Sequence, residues 1–115
     1  MSSRKLPNYL RMHRKRAGLS QDEVAFLLGC RTGAKVSRYE RFARRPSLET
    51  AFAYEVIFGV PPKELLAGVY DEIRETTAKR AQALAERLNA VKPDRMTARK
   101  LEAFRAMVSP TNLAA

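Results

Sequence analysis

Helix-stopping residues recur through the first sixty or so positions of this chain: Gly18, Gly29, Pro46-Ser47, Gly59 and Pro61-Pro62. They leave only short segments between them, and none alternates apolar and polar residues in the way a half-buried strand does. The chain therefore reads as all-α, a set of short helices joined by tight turns. Residues 7–17 are predicted as a first helix, opened near Pro7-Asn8 and closed by Gly18, a residue type favoured just past a helix end. Leu10, Arg14 and Ala17 share one of its faces by spacing. Ser20-Gln21-Asp22-Glu23 has the form of a capping box, predicting a second helix over 21–28 that buries Val24, Leu27 and Leu28 and stops at Gly29. After the turn Gly29-Cys30-Arg31, Thr32 is the expected N-cap of a third helix reaching about Arg41, with Val36 and Tyr39 inward.

Ser47 caps a fourth helix striped by Leu48, Ala51, Tyr54 and Phe58. Pro61-Pro62 opens a fifth, since proline at the first helical position loses no hydrogen bond. From Pro62 to about Ala90 there is no further proline and only Gly68, while Leu66, Val69/Tyr70, Ile73, Thr77, Leu84 and Leu88 keep helical spacing. One continuous helix of that length would span about 42 Å, more than a small domain covers. Lys92-Pro93-Asp94 breaks the pattern, Thr97 to Val108 is a last amphipathic stretch with Leu101, Phe104 and Val108 on one face, and Ser109 to Ala115 reads as a frayed tail. The expected organisation is a five-helix domain over 1–70, a long helical extension over 71–108 and a tail over 109–115.

Charge says what such a fold is for. Lys and Arg number 22 against 12 Asp and Glu, a net +10. Residues 1–45 hold twelve bases and three acids, so +9 sits there and only +1 in the remainder. Attraction to a polyanion thus belongs to the N-terminal half, and the other half has a different job. The first 21 residues lack the apolar core of a secretory signal, and the most apolar window, Ala51 to Val60, is interrupted by Glu55. A lone cysteine, Cys30, fits a reducing compartment, and with one histidine, His13, it cannot build a His/Cys zinc site. The expectation is a soluble cytoplasmic protein that has no membrane partner, no cofactor and no catalytic chemistry. His13 has no acid near it in sequence, Cys30 has no resolving cysteine, and Asp71, Glu72 and Glu75 read as a solvated helix face with a Glu75–Lys79 pair.

Two short helices around a glycine-containing turn, the second basic, have the form of a DNA-binding helix-turn-helix. Over Tyr9 to Gly68 the chain resembles the Cro/lambda-repressor-like, XRE-type helix-turn-helix family of bacteria and phages. The resemblance rests on Leu10-Arg11, Arg14, Ala17-Gly18-Leu19-Ser20-Gln21, Val24-Ala25, Leu28-Gly29, Val36-Ser37-Arg38-Tyr39-Glu40, Pro46-Ser47-Leu48-Glu49-Thr50 and Phe58-Gly59-Val60. It implies base contacts from the start of the third helix, at Thr32, Gly33, Ala34, Lys35 and Arg38. It implies phosphate contacts from Gln21, Arg31, Arg41, Arg44, Arg45 and Ser47, and a structural ion pair between Arg14 and Glu40. Arginine or lysine can bond guanine O6 and N7, and a helix N-terminus is a natural phosphate site. Arg14 also lies on the Leu10/Ala17 face, where an unpaired charge is costly.

Two positions depart from the family pattern. Between Gly29 and Glu40 the chain has one extra residue, assigned to Gly33, and Phe42 stands where a glycine usually follows the glutamate. Either that turn has another geometry, or Phe42 is an exposed aromatic facing DNA or a partner. The reading is a sequence-specific DNA-binding transcriptional regulator, a repressor-type homodimer on double-stranded DNA paired through its C-terminal helices. The alternative is an antitoxin-like DNA-binding protein whose C-terminal helices bind and neutralise a second protein.

Overall fold

The computed structural model describes residues 6–90 and 94–109, and every regular element among them is helical. The order is α1 (Leu10–Arg16), α2 (Gln21–Leu28), α3 (Ala34–Glu40), α4 (Leu48–Phe58), α5 (Pro62–Leu65), α6 (Ala67–Asn89) and α7 (Arg95–Val108). The chain divides into two units, residues 1–70 and 71–115. In the first, α2 packs on α3 and α4, α1 on α3, and α4 on α5. They enclose a small core of Leu10, Val24, Ala25, Val36, Tyr39, Tyr54 and Leu65. Tyr39 and Tyr54 meet edge to face with centroids 6.3 Å apart, and Phe58 stacks on Tyr54 at 5.8 Å. That core uses the predicted inward positions Leu10, Val24, Val36, Tyr39, Ala51 and Tyr54, but Leu27 and Leu48 are 53 % and 69 % exposed and Ala17 is also exposed. Ala25, which the spacing did not single out, is buried in the core instead.

The capping box forms as read: the Ser20 hydroxyl accepts from the Glu23 amide at 3.0 Å and the Glu23 carboxylate accepts from the Ser20 amide at 2.8 Å. Three successive helices then close in the same way. Gly18, Gly29 and Phe42 each take a positive φ (74°, 80° and 65°) just past α1, α2 and α3. In each, the next amide reaches back five residues: Leu19 to the Arg14 carbonyl, Cys30 to Ala25, Ala43 to Arg38. This is the Schellman closure, whose left-handed residue is usually glycine. At Phe42 the closure is therefore made with an aromatic side chain, half exposed, at a backbone conformation that favours glycine.

The first helix begins at Leu10, not at residue 7. Asn8 holds the lead-in outside it: its Oδ1 accepts from the Leu10 amide at 3.1 Å and its Nδ2 donates to the Tyr39 carbonyl at 2.9 Å. The long helix expected from Pro62 is broken at Leu66, which has φ −117° and ψ 43°. The cause is tertiary: the Leu65 carbonyl accepts from the Tyr9 amide at 2.7 Å, so it is taken by the other end of the unit. Just beyond, the lead-in crosses α6 so closely that a Cβ on Gly68 would stand 2.5 Å from Pro7 Cα.

The second unit holds most of α6 and all of α7. Asp94 caps α7, accepting from the Thr97 amide at 2.7 Å, so this helix starts two residues earlier than Thr97. That amide holds the Asp94 carboxyl below the usual carboxylate range. Of the break at Lys92-Pro93-Asp94, residues 91–93 lie outside the described residues, as does the tail beyond Ser109. No described helix is long and apolar enough to cross a membrane.

Candidate nucleic-acid interface

The surface begins with how α3 is fixed. Glu40, its last residue, is buried and accepts three hydrogen bonds: Arg14 Nε at 2.6 Å, Arg14 Nη2 at 3.1 Å and Gln21 Nε2 at 3.1 Å. Arg14 Nη1 donates to the Leu19 carbonyl at 3.0 Å, so one guanidinium ties α1 to the turn before α2 and to the end of α3. The Arg14 and Glu40 side chains are only 10 % and 3 % exposed. The Glu40 carboxylate, through its hydrogen bonds first and its charge second, raises the pKa of Arg14 above the ordinary arginine value against the opposing effect of burial. Three helices thus converge on one carboxylate.

The start of α3 is fixed at Gly33. Gly33 is buried, its amide donates to Asp22 Oδ1 at 2.8 Å, and a Cβ on it would lie 2.8 Å from that oxygen and 2.9 Å from Gln21 Cβ. Only a residue with no side chain fits at this place in the turn, pressed directly on the first turn of α2. The helix starts at Ala34, one position later than expected; Thr32 still serves it, its Oγ1 accepting from the Ala34 amide at 3.3 Å.

Five residues proposed from sequence for base contact therefore have different surroundings. Thr32, Ala34, Lys35 and Arg38 are exposed, and Lys35 and Arg38 lie three apart on the side of α3 opposite Val36 and Tyr39. Gly33 is turned against α2 instead. Of the six phosphate candidates, Arg31, Arg41, Arg44, Arg45 and Ser47 are exposed; Gln21 is half-buried, with its side-chain amide on Glu40. The Ser47 hydroxyl caps α4, accepting from the Thr50 amide at 3.2 Å. Arg41 Nε donates to Ser37 Oγ at 3.1 Å, which lays that guanidinium along α3.

Beside α3 lies an open cleft of about 620 Å³ whose lining includes Arg11, Lys15, Ser20, Gln21, Ser37 and Arg41. Arg11 and Lys15 were not among the sequence candidates. The signal that could have found them is their i, i+4 spacing on the face of α1 away from Leu10, which brings both to the N-terminal end of α2. Cationic side chains around a helix N-terminus form a surface suited to phosphate.

No curated protein and no solved structure matches the chain significantly. The helix-turn-helix domain family matches it over residues 6–67, more than half its length and the whole stretch from the lead-in to the start of α6. In agreement with the buttressed α2–α3 pair and the basic surface around it, the chain belongs to the helix-turn-helix domain family.

Proposed function

We propose that the protein is a sequence-specific transcriptional regulator of the Cro/lambda-repressor type, reading the major groove with α3 as a homodimer. The observation that carries this reading is the pairing of a buried anchor with an exposed basic face. Glu40 fixes α3 from inside through Arg14 and Gln21, while Lys35 and Arg38 project from it and Arg31, Arg41 and Arg44 flank it. Lys35 and Arg38 are assigned to base edges, with Thr32 and Ala34 beside them, and Arg31, Arg41, Arg44, Arg45 and Ser47 to phosphates with Arg11 and Lys15. Gln21 supports α3 through its side chain and offers its place at the start of α2 to a phosphate. Self-association is assigned to the C-terminal half, on the ground that Ile73 and Leu84 of α6 and Met96 of α7 are 55 %, 42 % and 57 % exposed.

The test is selection of a binding site from randomised DNA, then binding of variants to the selected and to scrambled sequences across a salt series. Arg38→Ala is expected to weaken the selected site by about 1–3 kcal/mol and to relax preference at one or two base pairs. Arg44→Ala should weaken both DNAs alike and reduce the salt slope by about one per subunit. Equal weakening of both DNAs by Arg38→Ala would assign Arg38 to phosphate and remove α3 as the reading element.

A further inference from the structure

The surfaces that DNA binding leaves unused include one of opposite character to the rest of the domain. On α4, Leu48, Phe52 and Val56 follow one another at intervals of four and form a continuous stripe, 69 %, 52 % and 84 % exposed. The adjoining α2 adds Phe26, 81 % exposed. Single exposed apolar residues are ordinary, but a helix that turns Leu, Phe and Val outward along its whole length marks an interface. The charge there is also inverted. In a protein of net charge +10, α4 carries Glu49 and Glu55 and not one Lys or Arg. DNA is repelled by such a face; an apolar helix edged with cations fits it.

The chain contains that helix. In α7, Met96, Lys100, Ala103 and Met107 run along one exposed face at spacings of four, three and four, with Arg99 beside Lys100. Its bases Arg95, Arg99, Lys100 and Arg105 stand against one acid, Glu102. We propose that α7 of a second copy docks on the Leu48/Phe52/Val56 face of α4 and the adjoining edge of α2, methionines against the apolar stripe and cations against the carboxylates. Reciprocal docking makes the contact twice and closes a two-fold dimer. The proposal rests on the assignment of self-association to the C-terminal half and names the surface that receives it.

The experiment uses the full chain with Cys30→Ser as background. Phe52→Cys is placed on one chain and Ala103→Cys on a differently tagged one; both sites are exposed and central in their helices, so the pair meets whichever direction α7 runs. The mixed chains are treated with a short bismaleimide, and sedimentation is measured in parallel. The expected result is a cross-linked heterodimer, absent when Ala103→Cys is replaced by Gln82→Cys on α6. Glu49→Lys with Glu55→Lys should weaken association by about tenfold or more and abolish its weakening by added salt, and mixing with Arg99→Glu/Lys100→Glu chains should restore it. Cross-linking only within a chain carrying both cysteines would make the occupant the chain's own α7 and overturn the proposal. A sedimenting dimer without the cross-link would place the interface elsewhere, leaving C-terminal self-association standing. A monomer at all concentrations would remove self-association itself, whatever the DNA-binding result.

Discussion

Removing the Glu40 carboxylate strands a buried cation. In Glu40→Ala, Arg14 loses two of its three hydrogen bonds and keeps only that from Nη1 to the Leu19 carbonyl. The guanidinium cannot escape by giving up its proton, since arginine stays charged at any working pH. Leaving one member of a buried pair uncompensated costs about 3–5 kcal/mol. The Arg14 side chain is 10 % exposed and long enough to swing its head partly toward water, which lowers the expected loss to about 2–4 kcal/mol. For a domain of this size that is a fall in melting temperature of roughly 10–30 °C. Arg14→Met should cost a similar amount, because Glu40 then keeps only Gln21 Nε2 as a partner. The double variant Arg14→Met/Glu40→Leu should recover part of the loss, as apolar replacement of a buried pair often does. Chemical denaturation of these variants, with Glu40→Leu alone to close the double-mutant cycle, gives the coupling. Single losses below about 0.5 kcal/mol would put the pair in solvent, where such bridges contribute little, and would refute the claim that this carboxylate anchors α3.

Gly33→Ala should destabilise by about 1–3 kcal/mol through overpacking against Gln21 and Asp22, read by thermal melting; a neutral result would mean that the turn does not press on α2. At position 42, Gly should be more stable than Ala by about 1 kcal/mol in chemical denaturation, because both lose the ring but only glycine is at ease at φ 65°. Tyr54→Phe should leave stability unchanged or raise it by about 1 kcal/mol, since the buried hydroxyl has no hydrogen-bond partner among the described residues and burial already pushes its pKa upward. A clear loss on denaturation would reveal a partner for that hydroxyl.

What could be read from sequence was what the chain decides locally. The capping box at Ser20 and Glu23, the glycine closures at Gly18 and Gly29, and the inward set Val36, Tyr39, Ala51 and Tyr54 follow from neighbours within a turn or two. The Arg14–Glu40 pair spans 26 positions and was legible only because family resemblance and the helix face of Arg14 pointed to it together. The break at Leu66 was not legible, because it depends on an amide 56 positions upstream taking the Leu65 carbonyl. Nor was the outward turn of Leu27 and Leu48: periodicity counts apolar residues, and here more of them share a face than the small core can enclose. At the candidate interface, the exposed bases of α3 could be assigned from spacing. The burial of Gly33 and the cleft beside Arg11 and Lys15 depend on how α1, α2 and α3 come together.

The bond from the Tyr9 amide to the Leu65 carbonyl joins the first and last parts of the N-terminal unit and belongs to no helix. Most amides of short helices exchange with solvent through fraying, which reports only local opening. The Tyr9 amide has a different route to solvent: the lead-in held by Asn8 must part from α5, and with it goes the crossing at Gly68. Its hydrogen–deuterium exchange should therefore report the parting of these two ends, and slow with whatever stabilises the closed unit, including DNA bound by α3. One backbone proton thus serves as a built-in gauge of occupancy.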